Sequence, residues 1–177
     1  MLGILTLAGG CGDEKPYRET TAAVSATHLQ PDQVTSKAHI FLYKAGRKTT
    51  DLTADEIQQY TRLDSTIAVN IAADFFDSTG AWVSTLTAKK GYIREKNNYL
   101  AVSGSVVVVG QNSARLETEY LVWDADHDKV VTDSFVTITR SHDVLRGYGL
   151  ETDPALKNTT IKRQVSGRLT EVDRLKK

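Results

Sequence analysis

Three aspartates at alternate positions, Asp124, Asp126 and Asp128, have the spacing of the first ligands of a calcium-binding loop. Such a loop needs glycine at its sixth position and a bidentate glutamate at its twelfth, and those positions hold Lys129 and Phe135. The acidic run therefore reads as a solvated turn. The four histidines, His28, His39, His127 and His142, are scattered without the spacing of a metal site. No G-x-S-x-G, Walker A or H-E-x-x-H motif is present. No enzyme and no cofactor is expected. Lys+Arg and Asp+Glu stand at 22 each, so the net charge is zero and no cationic surface awaits nucleic acid.

One residue with chemistry remains, Cys11, the only cysteine, which excludes an internal disulfide. It follows the apolar run Met1–Gly10, and polar residues begin two positions later. Ala8-Gly9-Gly10-Cys11 resembles a bacterial lipoprotein signal, in which small residues precede a cysteine that becomes the lipidated N-terminus. Ala8 stands where that motif more often has leucine, and no Lys or Arg precedes the run. A start codon placed too far downstream is the expectation that accounts for the missing basic residues. The run is too short to span a bilayer. Acyl chains on Cys11 would hold the chain at a membrane, since each buried methylene contributes about 0.8 kcal/mol.

These features need elements to carry them. Residues 12–33 keep neither helical nor strand period and hold Pro16 and Pro31, which reads as a tether. From Val34 the pattern turns to period 2: Ala38-Ile40-Leu42, Ile67-Val69-Ile71, Leu86-Ala88, Val106-Val108, Leu121-Trp123 and Val136-Ile138. Turn-forming clusters such as Asp77–Gly80, Glu95–Asn98 and Gly110–Ser113 recur roughly every 15 residues. The segment from Thr53 to Leu63 reads as strand and turn. The expectation is an all-β antiparallel domain over 34–169, with a tail at 170–177. Gly147 and Gly149, inside a strand pattern, predict a bulge, a close backbone approach or a flexible turn.

Between Phe75 and Asp153 a series of motifs stands in order. It includes Leu116-Glu117-Thr118-Glu119-Tyr120-Leu121-Val122-Trp123-Asp124, Thr132-Asp133-Ser134-Phe135-Val136 and Gly147-Tyr148-Gly149-Leu150-Glu151-Thr152-Asp153. The series resembles the LptC family, the membrane-anchored periplasmic component of lipopolysaccharide export, over most of 34–167. The resemblance implies a twisted, slightly open β-jellyroll of two antiparallel sheets with an apolar slot between them. It also implies partners: lipopolysaccharide, an inner-membrane ABC transporter complex that delivers it, and a periplasmic bridge protein of the same fold that takes it on. The implied place is the periplasmic side of the inner membrane, with the outer membrane open for a lipidated chain. Many members of that family carry a transmembrane helix where this chain has Cys11.

Moving an acyl chain through water is the physical difficulty, because exposing about a dozen methylenes costs roughly 10 kcal/mol. A carrier needs a dry track. The inward candidates for it are Ile40, Leu42, Val69, Ile71, Phe76, Leu86, Ala88, Ile93, Val102, Val106, Val108, Leu116, Leu121, Trp123, Val136 and Ile138. The same pattern would serve a solid sandwich core, so a lipid-anchored docking scaffold stays open as the alternative. A one-residue slip would exchange the two faces of any strand. An open jellyroll also leaves unpaired edges, and Ile161 and Val165 are the candidate partner edge for strand addition.

Overall fold

Runs rich in Val, Ile, Thr and Tyr favour extended backbone because branching at Cβ restricts χ1. The computed structural model, which describes residues 30–94, 96, 99–124, 127 and 129–170, has nine such strands. They are β1 (Gln33–Lys44), β2 (Arg47–Tyr60), β3 (Ser65–Phe76), β4 (Trp82–Arg94), β5 (Tyr99–Gly110), β6 (Arg115–Asp124), β7 (Lys129–Arg140), β8 (Asp143–Thr152) and β9 (Thr159–Arg168). Each pairs antiparallel with the next, giving one sheet in sequence order. The fold is all-β, as the periodicity predicts, and 53–63 is strand β2 running into a 3-10 turn at Thr61–Leu63. Cys11, the residues up to 29 and the tail from 171 lie outside the described residues.

The ladder is interrupted midway along the strands. Lys37, Asn70, Ser105 and Gln164 have positive φ, as do Gly104 and Gly149. One strand carries a residue its neighbour does not match at Gly104-Ser105 on β5, at Asp133-Ser134 on β7 opposite Gly149, and at Gln164 on β9, which bends and twists the sheet. At Lys37 and Asn70 the register continues unshifted past a single unpaired position. These residues stand beside one another across the sheet. Asn70 donates to Asp55 at 2.8 Å, Ser105 N–H donates to Glu119, and the two glycines lie against the Cβ atoms of Lys89 and Lys162. The line divides the sheet into two leaves. The first holds 38–44, 47–54, 71–76, 82–88, 106–110, 115–118, 135–140, 143–147 and 166–168; the second holds 33–36, 56–60, 65–69, 90–94, 99–103, 120–124, 129–132, 148–152 and 159–163.

The leaves fold toward each other. Arg140 ends β7 in the first leaf and Thr159 begins β9 in the second, so a flat sheet would hold them roughly 30 Å apart. Instead Arg140 donates to Thr159 Oγ1 at 2.9 Å. The two sheets implied by the resemblance are thus two halves of one continuous sheet. Between them lies one apolar cluster to which both leaves contribute, from Ala54 on β2 to Leu150 on β8.

These interruptions also explain where simple alternation misleads. A left-handed residue within a strand moves the inward set by one position without changing its face in space. On β3 the inward residues are Ala73 and Ile71, then Ala68, so Val69 points outward between Glu56 and Lys90. Phe76, beyond a register shift at the end of β3, lies under the Lys48 ammonium at 4.3 Å on the outer side. These two residues do not face the interior as expected.

Candidate apolar crevice between the leaves

Register places the inward side chains in rows that cross the sheet. In the first leaf one row runs Ile40, Leu52, Ala73, Leu86, Val108, Leu116, Ile138 and Leu145. In the second leaf Ile57, Ala68, Gly91, Val102 and Leu121 lead on to Thr132, Leu150 and Ile161. Nearer the end of that leaf come Thr66, Ile93, Leu100, Trp123 and Val130. Thr50, Ser84, Thr118, Thr132 and Thr152 are the buried polar interruptions. Thr118 donates to Phe135 O, Thr132 Oγ1 accepts from Ser134 N–H, and Thr152 bonds Thr159. Among the described residues no buried side-chain polar atom lacks a partner.

Of the residues expected to face inward, Ile71, Ala88, Val102, Val106, Val108, Leu116, Leu121, Val136 and Ile138 meet in the single buried cluster, with Leu86 packed against it. Ile40, Leu42 and Ile93 share that face by register but are uncovered; Leu42 is 50% exposed. Trp123 is half-buried between Leu100 and Val130. The structure adds Leu52, Ile57, Ala68, Leu150, Leu156 and Ile161. Gly149 could have pointed to Leu150, since a glycine bulge re-phases the next residue; nothing in the local pattern points to Leu156.

The crevice is not equally open along its length. In the middle Leu116, Val136 and Leu150 are completely buried, so the leaves touch. At the β1 end the inner face runs into solvent through Ile40 and Leu42. At the β9 end a cavity of about 140 Å³ remains, lined by Ile138, Arg140, Leu145, Thr159, Ile161 and Val165.

Gly147 and Gly149 each have a mechanical reason. A Cβ on Gly147 would lie 2.6 Å from Ile161 and 2.8 Å from Arg163 O, so only glycine lets β9 approach β8. Gly149 has φ +72, a bulge conformation that side chains resist.

Polar chemistry lies on the outside and at the turns. His39 and Asp51 meet at 2.7 Å, and that bond together with Lys48 holds the Asp51 carboxyl below its usual range despite some desolvation. His127 bonds Asp124 at 2.9 Å. Tyr99 and Tyr120 share a short hydrogen bond, which with burial pushes Tyr120 up to about 12. These are pairs holding a surface together.

A family model described as lipopolysaccharide-assembly, LptC-related, matches residues 4–170. No curated protein matches. Among solved structures the fold is similar to LptH from Pseudomonas aeruginosa, described as the LptA-homologous periplasmic component of the lipopolysaccharide transport device. Identity is 8% and TM-score 0.52, covering 68% of this chain and 94% of that one.

Proposed function

This chain belongs to the LptC-related family of lipopolysaccharide-assembly proteins, and from that premise we propose that it carries the acyl chains of lipopolysaccharide between its two leaves. Its role lies in lipopolysaccharide transport, on the periplasmic side of a membrane. The observation that carries the reading is the uncovered inner face at the β1 end. Ile40 and Leu42 continue the rows that line the buried cluster, yet among the described residues they stay 38% and 50% exposed. Tails entering there would meet mainly apolar side chains, with the hydroxyls of Thr50 and Ser84 among them. Because the middle is closed, loading requires the leaves to part, and the row of bulges is where the sheet bends most easily.

The hand-off follows from the strand order. β1 and β9 are the terminal strands of the sheet, each with one unpaired edge. β1 faces the inner-membrane ABC transporter complex, and β9, with Ile161 and Val165, adds a bridge protein of the same fold by strand pairing. Cys11 holds the domain to the membrane through a lipid, with 12–33 as tether. Among the described residues no helix is long and apolar enough to cross a membrane. Val165 lies between the Tyr148–Arg163 and Arg146–Ser166 pairs. Val165→Pro is expected to abolish co-purification of the bridge partner; undiminished co-purification argues against this edge.

The completely buried Leu116, Val136 and Leu150 favour a second reading, a solid-cored module that only docks other envelope proteins. A photo-crosslinking residue at Leu42, inward, or at Phe41, outward on the same strand, separates the two. Lipopolysaccharide adducts from Leu42 and none from Phe41 support carriage. Equal labelling, or none in a folded protein, leaves the docking module.

A further inference from the structure

The loop between β8 and β9 does more than turn the chain. Within Asp153-Pro154-Ala155-Leu156-Lys157-Asn158, Leu156 is buried to 3% exposure at φ +57, a left-handed conformation that a branched, bulky residue resists. Leucine persists there only because its surroundings hold it. Its carbonyl accepts a short hydrogen bond from Arg140, which also donates to Thr159. The Asp153 carboxylate accepts from the N–H groups of Lys157 and Asn158 at 2.9 and 2.8 Å and from the Asn158 amide. The Leu156 side chain joins the cluster with Ala114 and reaches the backbone of Gly110, where any Cβ would meet Ala155 O at 2.9 Å.

The placement is specific. Gly110 ends β5 in the first leaf, and the loop hangs from the end of the second, so the loop bridges the gap between leaves. Arg140 and Thr159, the groups that hold it, also line the 140 Å³ cavity at the β9 end. Leu156 therefore closes the space between the leaf tips, held by two of the groups that line that cavity, and it is itself an aliphatic side chain on a strained backbone.

We infer that Leu156 is the stop of the crevice: it fills the apolar position between the leaf tips beside that cavity and sets how long an acyl chain the protein accepts. This rests on the carrier reading above and adds a specificity residue to it. A stop held on a strained backbone by Arg140 is removable. Replacing Leu156 with glycine empties the position and also relieves the left-handed strain, which offsets part of the lost burial.

The test is displacement of a fluorescent fatty acid by saturated fatty acids of eight to eighteen carbons, with the full chain and with Leu156→Gly. Below the stop, each added methylene should tighten binding about fourfold. In the unaltered protein the gain should end at a definite length, and in Leu156→Gly it should continue for at least two further carbons. Arg140→Gln, which frees the loop but leaves every core side chain in place, should shift the limit in the same direction. That variant keeps the test standing if Leu156→Gly does not fold. Tight binding with the same length limit in all three proteins would overturn the stop and spare the carrier reading. No saturable binding by the unaltered protein would overturn both.

Discussion

At the β1 end the inner face runs out uncovered, and the hairpin joining β1 to β2 turns through Ala45 and Gly46 alone, too short to fold back over Ile40 and Leu42. At the β9 end the six residues 153–158 return between the leaves and are held there by Arg140 and Asp153. Both ends are made of the same alternating strands. What separates them is a connection long enough to put a side chain where a ligand would go. An open end and a latched end on one dry track give the crevice a direction, with entry beside β1 and a barrier beside β9.

The sharpest way to break this comparison is to truncate one leucine at the open end and one where the leaves touch. Leu150→Ala removes a fully buried side chain beside β9 and is expected to cost about 2–5 kcal/mol in urea unfolding. Leu42→Ala, half-exposed on the same face, should cost less than about 1 kcal/mol. Equal costs would mean that the β1 end is covered in solution. Next in size is Gly147→Val, which drives a side chain into Ile161 and the Arg163 carbonyl. A loss of about 1–3 kcal/mol is expected, with amide exchange accelerating along β9 and unchanged along β1 to β3. Acceleration spread over all nine strands would show that the two ends are not mechanically separate.

The inner lining was largely legible in the sequence because apolar residues at alternate positions must share a face. Leu86, Ala88, Val106, Val108, Leu116, Val136 and Ile138 needed nothing more. Val69 was not legible. The left-handed backbone at Asn70 reverses its phase, and an asparagine in a strand announces no such break. The inwardness of Leu121 and Trp123 after Leu116 depends on the same kind of slip on β6. Leu156 was hidden for another reason: 153–158 has the composition of a solvated turn, and its burial comes wholly from the folding of one leaf over the other. The family motifs, by contrast, could be read directly, because they are an ordered series of residues and need no phase.

A smaller effect sharpens the β9 end alone. Burial raises the Asp153 carboxyl, but donation from Lys157 and Asn158 outweighs it and leaves the group below its ordinary value. A depressed carboxyl stabilises the fold fully above its unfolded-state pKa and loses that contribution as pH falls through the folded one. Exchange at the Lys157 and Asn158 amides should therefore gain an acid-induced opening component below the ordinary carboxylate range. Asp153→Asn should show that opening at neutral pH, with no further change on acidification. An unaltered protein whose loop protection ignores pH would remove the carboxylate from the latch.

The chain holds two tryptophans, one on each side of the sheet. Trp123 lies in the inner row beside Leu100 and Val130, and Trp82 bonds Thr85, which in turn donates to Asp74 on the outer side. Lipopolysaccharide or fatty acid with brominated acyl chains quenches tryptophan only in near contact. With Trp82→Phe, leaving Trp123, saturable quenching is predicted; with Trp123→Phe, leaving Trp82, none. Quenching of Trp82 alone, of both equally, or of neither would contradict the carriage of acyl chains between the leaves.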